Sequence, residues 1–163
     1  MITSGPRVLR ALSAAAVLCA LLACAAKPPP PKEEKPPPRL HTEVFAAPDA
    51  NRDTTGRALP IVVRLYQLKA AGNFTGADFF SLYDKEAATL GDTLIAREEV
   101  TLVPGQRRTL VMPLNPEATH LGVLGAFSDL DRATWRAREI LKPGQDNTVR
   151  VDVGAAAITA QQR

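Results

Sequence analysis

The sequence has little cysteine, little histidine and no strong excess of charge of either sign. Its 163 residues include two cysteines, two histidines, one tryptophan, two tyrosines and five phenylalanines. A framework of disulfides is therefore excluded as the source of stability, and zinc sites built from paired cysteines and histidines are excluded too. The 20 basic and 17 acidic residues are scattered along the chain, so no basic patch indicates binding to nucleic acid.

The chain also lacks the short motifs that carry common enzyme chemistry. It has no nucleophile elbow and no glycine-rich loop that would cradle a phosphate. His41 borders a proline-rich segment and His120 begins a predicted strand, so a surface role suits each better than that of a general base. We therefore predict that the protein is not an enzyme and that it binds neither a cofactor nor a small-molecule substrate.

One segment imitates the start of a calcium-binding loop. Asp49, Asn51 and Asp53 alternate as the first ligands of such a loop do, but Thr54 and Pro60 occupy the positions that require glycine and glutamate. We therefore expect no metal site here. Carboxylate and amide side chains at this spacing more simply hold their own backbone in a long loop.

An apolar run near the N-terminus is too short to span a membrane. Arg7 and Arg10 precede it, and it extends from Ala11 to Leu22, which is the layout of a bacterial secretory signal. Its last residues, with a leucine and a small residue directly before Cys24, resemble a lipoprotein signal. In that pathway the chain is cleaved before the cysteine, which carries the covalent lipid.

Two other interpretations of this segment stay open: cleavage for soluble secretion near Cys24, and an uncleaved anchor. We favour residues 1–23 as a signal peptide and Cys24 as the lipidated residue. The residue after Cys24 is Ala25. An aspartate at that position would resemble an inner-membrane retention signal. Because alanine stands there, the pattern favours the outer membrane, with the domain facing the periplasm. Residues 24–39 are rich in proline, and we predict that they form a tether. A stiff, extended tether and a disordered spacer of no defined length are both open interpretations.

The remainder of the chain has the alternation of half-buried strands. We predict a mainly β protein, a two-sheet β-sandwich over residues 40–154, with residues 155–163 as a polar C-terminal tail that forms no last strand. Proline followed by glycine at 104–105 and 143–144 predicts tight turns. The predicted strands include residues 60–68, 94–103, 109–114, 120–127, 134–141 and 149–153.

A helical insertion over about residues 73–91 interrupts the strands. Phe74, Phe79, Phe80, Leu82 and Tyr83 lie near helical spacing. We expect Thr75 to cap this helix with Asp78 in its first turn, and a second short helix to end at Gly91. The insertion is interpreted as packing on the end of the sandwich; a patch that binds a partner is the alternative.

The loop from Ala46 to Leu59 is long for a sandwich connection and rich in asparagine, aspartate, threonine and glycine. Long ordered loops on a rigid sheet often carry recognition. An excursion of the chain without any partner is the other interpretation.

These segments, in this order, resemble the TssJ family, the outer-membrane lipoproteins of the type VI secretion system. The residues that carry the resemblance are Asn51-x-Asp53-x-x-Gly56-Arg57-x-x-Pro60, Val63 to Leu68, Phe79-Phe80-x-Leu82, Leu121 to Phe127 and Asp129 to Arg136. The resemblance implies a transthyretin-like sandwich with a helical insertion, a lipid anchor in the outer membrane and no catalytic role.

The resemblance also implies a partner, the periplasmic part of the inner-membrane protein TssM. It assigns the contact to the loop after the first strand, here with Asn51, Asp53, Thr54, Gly56 and Arg57 as the partner-binding residues. Two alternatives remain from the sequence. One is a lipid-anchored periplasmic ligand-binding module, which predicts an apolar cavity near Phe79, Phe80 and Tyr83, and the other is a pilotin.

Overall fold

Eight strands form two four-stranded sheets in the computed structural model, which describes residues 36–163. The predictions for residues 1–23 and Cys24, and most of the predicted tether, lie outside the described residues. Within residues 36–163, no helix has the length and apolar character needed to cross a membrane. The predicted fold class, a mainly β, transthyretin-like two-sheet sandwich with a short helical insertion, is confirmed.

The first sheet has the order β4-β1-β7-β8 and the second has the order β3-β2-β5-β6. Within the sheets β1 and β7 are parallel, and every other neighbouring pair is antiparallel. The strands are β1 (Arg39–Ala46), β2 (Ile61–Leu68), β3 (Leu94–Leu102), β4 (Arg107–Pro113), β5 (His120–Gly125), β6 (Arg136–Ile140), β7 (Asn147–Val153) and β8 (Ile158–Gln162). The predicted strands are thus present, with small differences at their ends.

The core lies between the two sheets and follows from strand alternation. In β1, Leu40 and Val44 face inward, while His41 and Glu43 on the other face are half-buried. The central strand β2 is buried on both faces: Val63 and Leu65 point into the core, whereas its alternate residues, which include the ion-paired Arg64, point to the outer face. Each large apolar side chain buried in this way contributes about 1.5–3 kcal/mol to folding.

The predicted helical insertion is confirmed as three short helices and a single 3₁₀ turn. These are α1 (Gly72–Gly76), α2 (Phe79–Asp84), α3 (Glu86–Leu90) and the turn Gly91–Thr93. The predicted cap was wrong: Thr75 lies inside α1, where its hydroxyl donates to the carbonyl of Ala71. Asp78 has the extended backbone of an N-cap, and its carboxylate accepts hydrogen bonds from the N–H and hydroxyl of Ser81 at 2.9 and 2.6 Å.

The insertion packs on the outer face of the second sheet, not on the end of the sandwich as predicted. Phe74, Phe79, Leu82 and Leu90 form one cluster with the outward-facing side chains of β2 and β5, which are Tyr66, Leu68 and Leu124. The reason is that Tyr66 and Leu68, on the outer face of β2, would otherwise be exposed to water. Of the five residues predicted at helical spacing, Phe74, Phe79 and Leu82 are buried in this cluster, so the prediction that they pack as a structural element is confirmed for these three.

The predicted C-terminal tail at residues 155–163 was a second error, because the structure contains β8 there. Ile158 is 1% exposed and pairs with Val153, and the backbone N–H of Arg163 donates to Thr148. An edge strand needs one apolar face and a neighbouring strand whose backbone N–H and C=O groups are free to pair. A single buried isoleucine and the backbone hydrogen bonds to β7 are therefore enough to form β8. The surrounding alanines and glutamines hide that pattern in the sequence.

The sandwich has two ends with different connections. At the N-terminal end, the carbonyl of Pro38 accepts a bond from Leu114, and the N–H of Arg39 donates to Asp146. At the opposite end, which we call the loop end, lie residues 47–60, 103–106, 126–135 and 154–157. The eight residues of β1 join the two ends, a separation of about 25 Å at 3.3 Å per residue.

The candidate partner-binding loop

The β1–β2 loop, residues 47–60, is held in place by backbone bonds to other loops of the loop end. The N–H groups of Asn51 and Arg52 donate to the carbonyls of Gly154 and Ala155 at 3.1 and 2.9 Å. Thr134, in the β5–β6 loop, donates in turn to Ala156 at 2.9 Å. Three loops are therefore joined at this end, which gives a long connection a fixed shape.

Asn51 supports the loop from inside. Its side-chain Nδ2 donates to the carbonyl of Pro60 at 2.7 Å, and its Oδ1 accepts from the N–H of Ser128 at 2.7 Å. Its φ of 49° lies in the left-handed region, which asparagine adopts more readily than most residues. Because the residue is only 3% exposed, Asn51 positions the loop and offers almost no surface of its own.

Asp53 organises the tip of the loop through both carboxylate oxygens. Oδ1 accepts from the N–H and hydroxyl of Thr55, at 2.9 and 2.6 Å, and from the N–H of Arg57 at 3.0 Å. Oδ2 accepts from Nε of Arg57 at 3.0 Å. The Thr55 hydroxyl, and then the other donors, lower the pKa of Asp53 to about 2 because they stabilise the charged form.

The tip itself is a tight turn closed by backbone bonds. The N–H of Gly56 donates to Asp53, the N–H of Asp53 donates to Arg57, and Arg52 pairs with Ala58 as an isolated antiparallel bridge. Gly56 has a φ of 85°, a conformation that costs a residue with a Cβ free energy. Glycine is therefore favoured at this position of the turn because it adopts a positive φ without strain.

The outermost residues of the turn face solvent. Thr54, Thr55, Gly56 and Arg57 are all exposed, and the side chain of Arg57 is 75% exposed. Asp53 holds the guanidinium of Arg57 through Nε and Nη2 while most of the Arg57 side chain stays exposed. The structure thus brings together four of the five predicted partner-binding residues at one tip, with Asn51 beneath them.

The interpretation that these side chains hold their own backbone is confirmed for Asn51 and Asp53. Both carboxylate oxygens of Asp53 accept hydrogen bonds, from Thr55 and Arg57. Among residues 36–163 there is no cluster of three or more potential metal ligands. Sequence reasoning missed the supporting role of Ser128 and of the β7–β8 turn. The β7–β8 turn acts through backbone carbonyls, which leave no signal in the sequence. Ser128 acts through its backbone N–H and through its hydroxyl, which donates to the carbonyl of Arg52 at 3.2 Å.

The site required by the ligand-binding alternative is filled by side chains. The ring of Phe79 stacks on Tyr83 with centroids 5.3 Å apart and meets Trp135 edge to face at 5.4 Å. Phe79 is itself 9% exposed. Direct ring contacts at these distances occupy the space where an apolar cavity was predicted.

Comparison with known families and structures gives consistent matches. A sequence profile described as type VI secretion lipoprotein, VasD, EvfM, TssJ, VC_A0113 matches residues 38–156. The chain is 37% identical to a protein of known crystal structure, described as the T6SS lipoprotein TssJ1 from Pseudomonas aeruginosa. That match has a TM-score of 0.74 and covers 78% of this chain and 98% of the other. No curated protein sequence matches.

Two further solved structures contain chains similar to this one. One structure is described as a type VI membrane complex; its chain is 30% identical with a TM-score of 0.66, over 77% of this chain and 99% of that one. The other is described as the T6SS protein TssM C-terminal domain (869-1107) from EAEC; identity is 30% and the TM-score 0.63, over 75% and 99%.

Proposed function

The chain belongs to the type VI secretion lipoprotein family that includes TssJ, and we propose that it anchors the secretion complex by binding the periplasmic part of TssM. In this proposal a lipid on Cys24 holds the protein in the outer membrane. The likeness to chains in structures described as a type VI membrane complex and as a TssM domain supports a place in that assembly.

The observation that carries the proposal is the preformed tip at residues 53–57. Asp53 already holds Thr55 and Arg57 in one arrangement. The loop has therefore lost its conformational entropy on folding, before a partner binds. Preorganisation of this kind raises affinity because less ordering is needed when the partner binds. A long loop with no function would not need its exposed residues held by four hydrogen bonds to one carboxylate.

The position of the tip supports the same function. The part of the chain that the structure describes begins at the N-terminal end of the sandwich, beside Leu114 and Asp146. The tip lies at the opposite end. The tip is therefore separated by the length of the sandwich from the point where the described chain begins. The proposal assigns no catalytic step to any residue, since the family is a structural component of the secretion system.

The test is binding of the full chain to the periplasmic region of TssM from the same genome. Deleting the loop would remove the buried Asn51, so a substitution at the exposed tip is a sharper variant. Arg57→Glu should weaken binding at least about tenfold, as expected of a central arginine in an interface. Arg138→Glu, at an exposed arginine of β6, is the matched control and should bind normally. Equal binding by both variants would contradict the proposed site.

A further inference from the structure

Phe80 is the most exposed of the large apolar residues in the described chain, at 64%. It lies on α2, where Phe79 and Leu82 point to the sheet and are buried, so the fold does not use Phe80 for packing. Asp84 is four residues further on, on the same face of the helix as Phe80. We name this exposed surface, formed by Asp78, Phe80 and Asp84, the Phe80 face.

The ring of Phe80 is supported from below. It meets the ring of Phe79 edge to face at a centroid distance of 5.4 Å, and Phe79 in turn contacts Tyr83 and Trp135. An aromatic side chain with few rotatable bonds, resting on a packed ring, loses little entropy when a partner covers it. Such residues are the usual centres of binding energy in protein interfaces.

The Phe80 face is continuous with the loop end through Trp135. The carbonyl of Trp135 accepts a bond from Gly125, and the neighbouring Thr134 forms a parallel bridge with Ala157. Ala155, two residues before Ala157, accepts the bond from Arg52 in the β1–β2 loop. Ring contacts, backbone hydrogen bonds and short stretches of chain between them thus link Phe80 to the tip that we propose as the site for TssM.

Charge distinguishes between a membrane and a protein as the occupant. Asp78 and Asp84 are both exposed, and Lys85 is the adjacent basic residue. The hydrogen bonds from Ser81 lower the pKa of Asp78, so its carboxylate is charged at neutral pH. The two carboxylates would be repelled by anionic lipid headgroups. An apolar ring between two carboxylates is instead complementary to an apolar pocket bordered by lysine or arginine.

We propose that the Phe80 face is a second contact with the protein that binds the tip, received in an apolar pocket bordered by basic residues. This inference rests on the proposed function, because it assigns the face to the same periplasmic partner. It departs from the resemblance, which assigns the contact to the β1–β2 loop alone. The two contacts together would fix the orientation of the partner as well as its distance.

The experiment measures the affinity of the full chain, purified in detergent, for the periplasmic region of TssM by calorimetry. Phe80→Ala should weaken binding about tenfold or more, as at an interface hot spot. Ile140→Ala, at a residue that is 63% exposed on β6, is the matched control and should change affinity less than about twofold. Because both side chains are exposed, the melting temperatures of the two variants should equal that of the parent.

A charge reversal tests the basic border of the pocket. Asp84→Lys should weaken binding about threefold to tenfold, and the loss should shrink at high salt, because rim charges act through screened electrostatics. If Phe80→Ala and Asp84→Lys bind as well as Ile140→Ala while Arg57→Glu binds weakly, the second contact is wrong and the proposed function stands. If none of these variants weakens binding, both are wrong.

Two other occupants have their own signatures. Phe80-dependent binding of the full-length Cys24→Ser chain to vesicles of phosphatidylethanolamine and phosphatidylglycerol would mean that a bilayer covers the face. Self-association of the chain that Phe80→Ala abolishes would mean that a second copy covers it. Either result would overturn the assignment to the secretion partner.

Discussion

Asn51 and Ser128, 77 residues apart in the chain, are joined by a hydrogen bond of 2.7 Å from the backbone N–H of Ser128 to the side-chain oxygen of Asn51. This bond connects the β1–β2 loop to the β5–β6 loop at the loop end of the sandwich. The same side chain donates to Pro60, so one buried amide fixes both the start and the end of the proposed binding loop.

Asn51→Ala should lower the free energy of unfolding by about 2–3 kcal/mol, measured by urea denaturation. The substitution leaves the N–H of Ser128 and the carbonyl of Pro60 without their partner, and it places alanine in a left-handed conformation. Asn51→Gly separates the two effects, because glycine accepts the backbone conformation but not the hydrogen bonds. A loss below about 0.5 kcal/mol in Asn51→Ala would contradict the supporting role.

The order of the tip should depend on pH through Asp53. Its pKa in the folded protein is about 2, lowered from the ordinary value of 3.8. A depressed pKa contributes stability that is complete above the unfolded value and is lost as the pH falls through the folded value. The tip should therefore stay ordered at pH 5 and loosen between about pH 4 and pH 2.

The measurement is an NMR titration of the amides of Thr55 and Arg57, which donate to Asp53. Asp53→Asn, which has no charge to titrate, should remove the pH-dependent shift over this range. A midpoint near the ordinary value of 3.8 in the parent protein would contradict the hydrogen-bonding arrangement.

Gly122→Ala should destabilise the helical insertion by about 1–3 kcal/mol. A Cβ at this position would lie 3.0 Å from Cδ1 of Leu68 and 3.1 Å from Cε2 of Phe74. These two side chains would have to shift by a few tenths of an ångström, which would loosen the contact between α1 and the sheet. Gly154→Ala is the control, because its nearest neighbour would be the carbonyl oxygen of Ala157 at an ordinary 3.6 Å. Equal melting temperatures of the two variants would show that the close approach is not needed.

Cys24→Ser should release the protein from membranes while leaving the sandwich folded. The lipid predicted on this residue supplies membrane affinity at about 0.8 kcal/mol per buried methylene, and the described domain adds no spanning helix. Fractionation of host cells, with circular dichroism of the released protein, checks both parts. Continued recovery of the variant with the outer membrane would exclude the lipid as the anchor.

The sequence predicted the sandwich because its strands alternate over whole elements. β7 is the clearest, with Val149, Val151 and Val153 buried in strict order. It did not predict β8, where one isoleucine is the only strong signal, nor the parallel pairing of β1 with β7. Both depend on backbone ladders between distant segments, which leave no periodic trace in either segment alone.

The candidate site was predicted in part. The residue types at 51, 53, 56 and 57 indicated a loop that holds its own backbone, and the resemblance indicated a partner. Neither separated the buried Asn51 from the exposed Arg57, because that distinction depends on Ser128 and the β7–β8 turn. The packing of the insertion was predictable from helical spacing, but its location on the outer face of β2 was not.

Site-specific photocrosslinking in the native host tests the binding of TssM at the tip most directly. A photoreactive amino acid at Thr55, which is exposed at the tip, should crosslink to TssM. The same amino acid at Thr159, exposed on β8 at the edge of the first sheet, should not. Crosslinking to TssM from Thr159 and none from Thr55 would contradict the account.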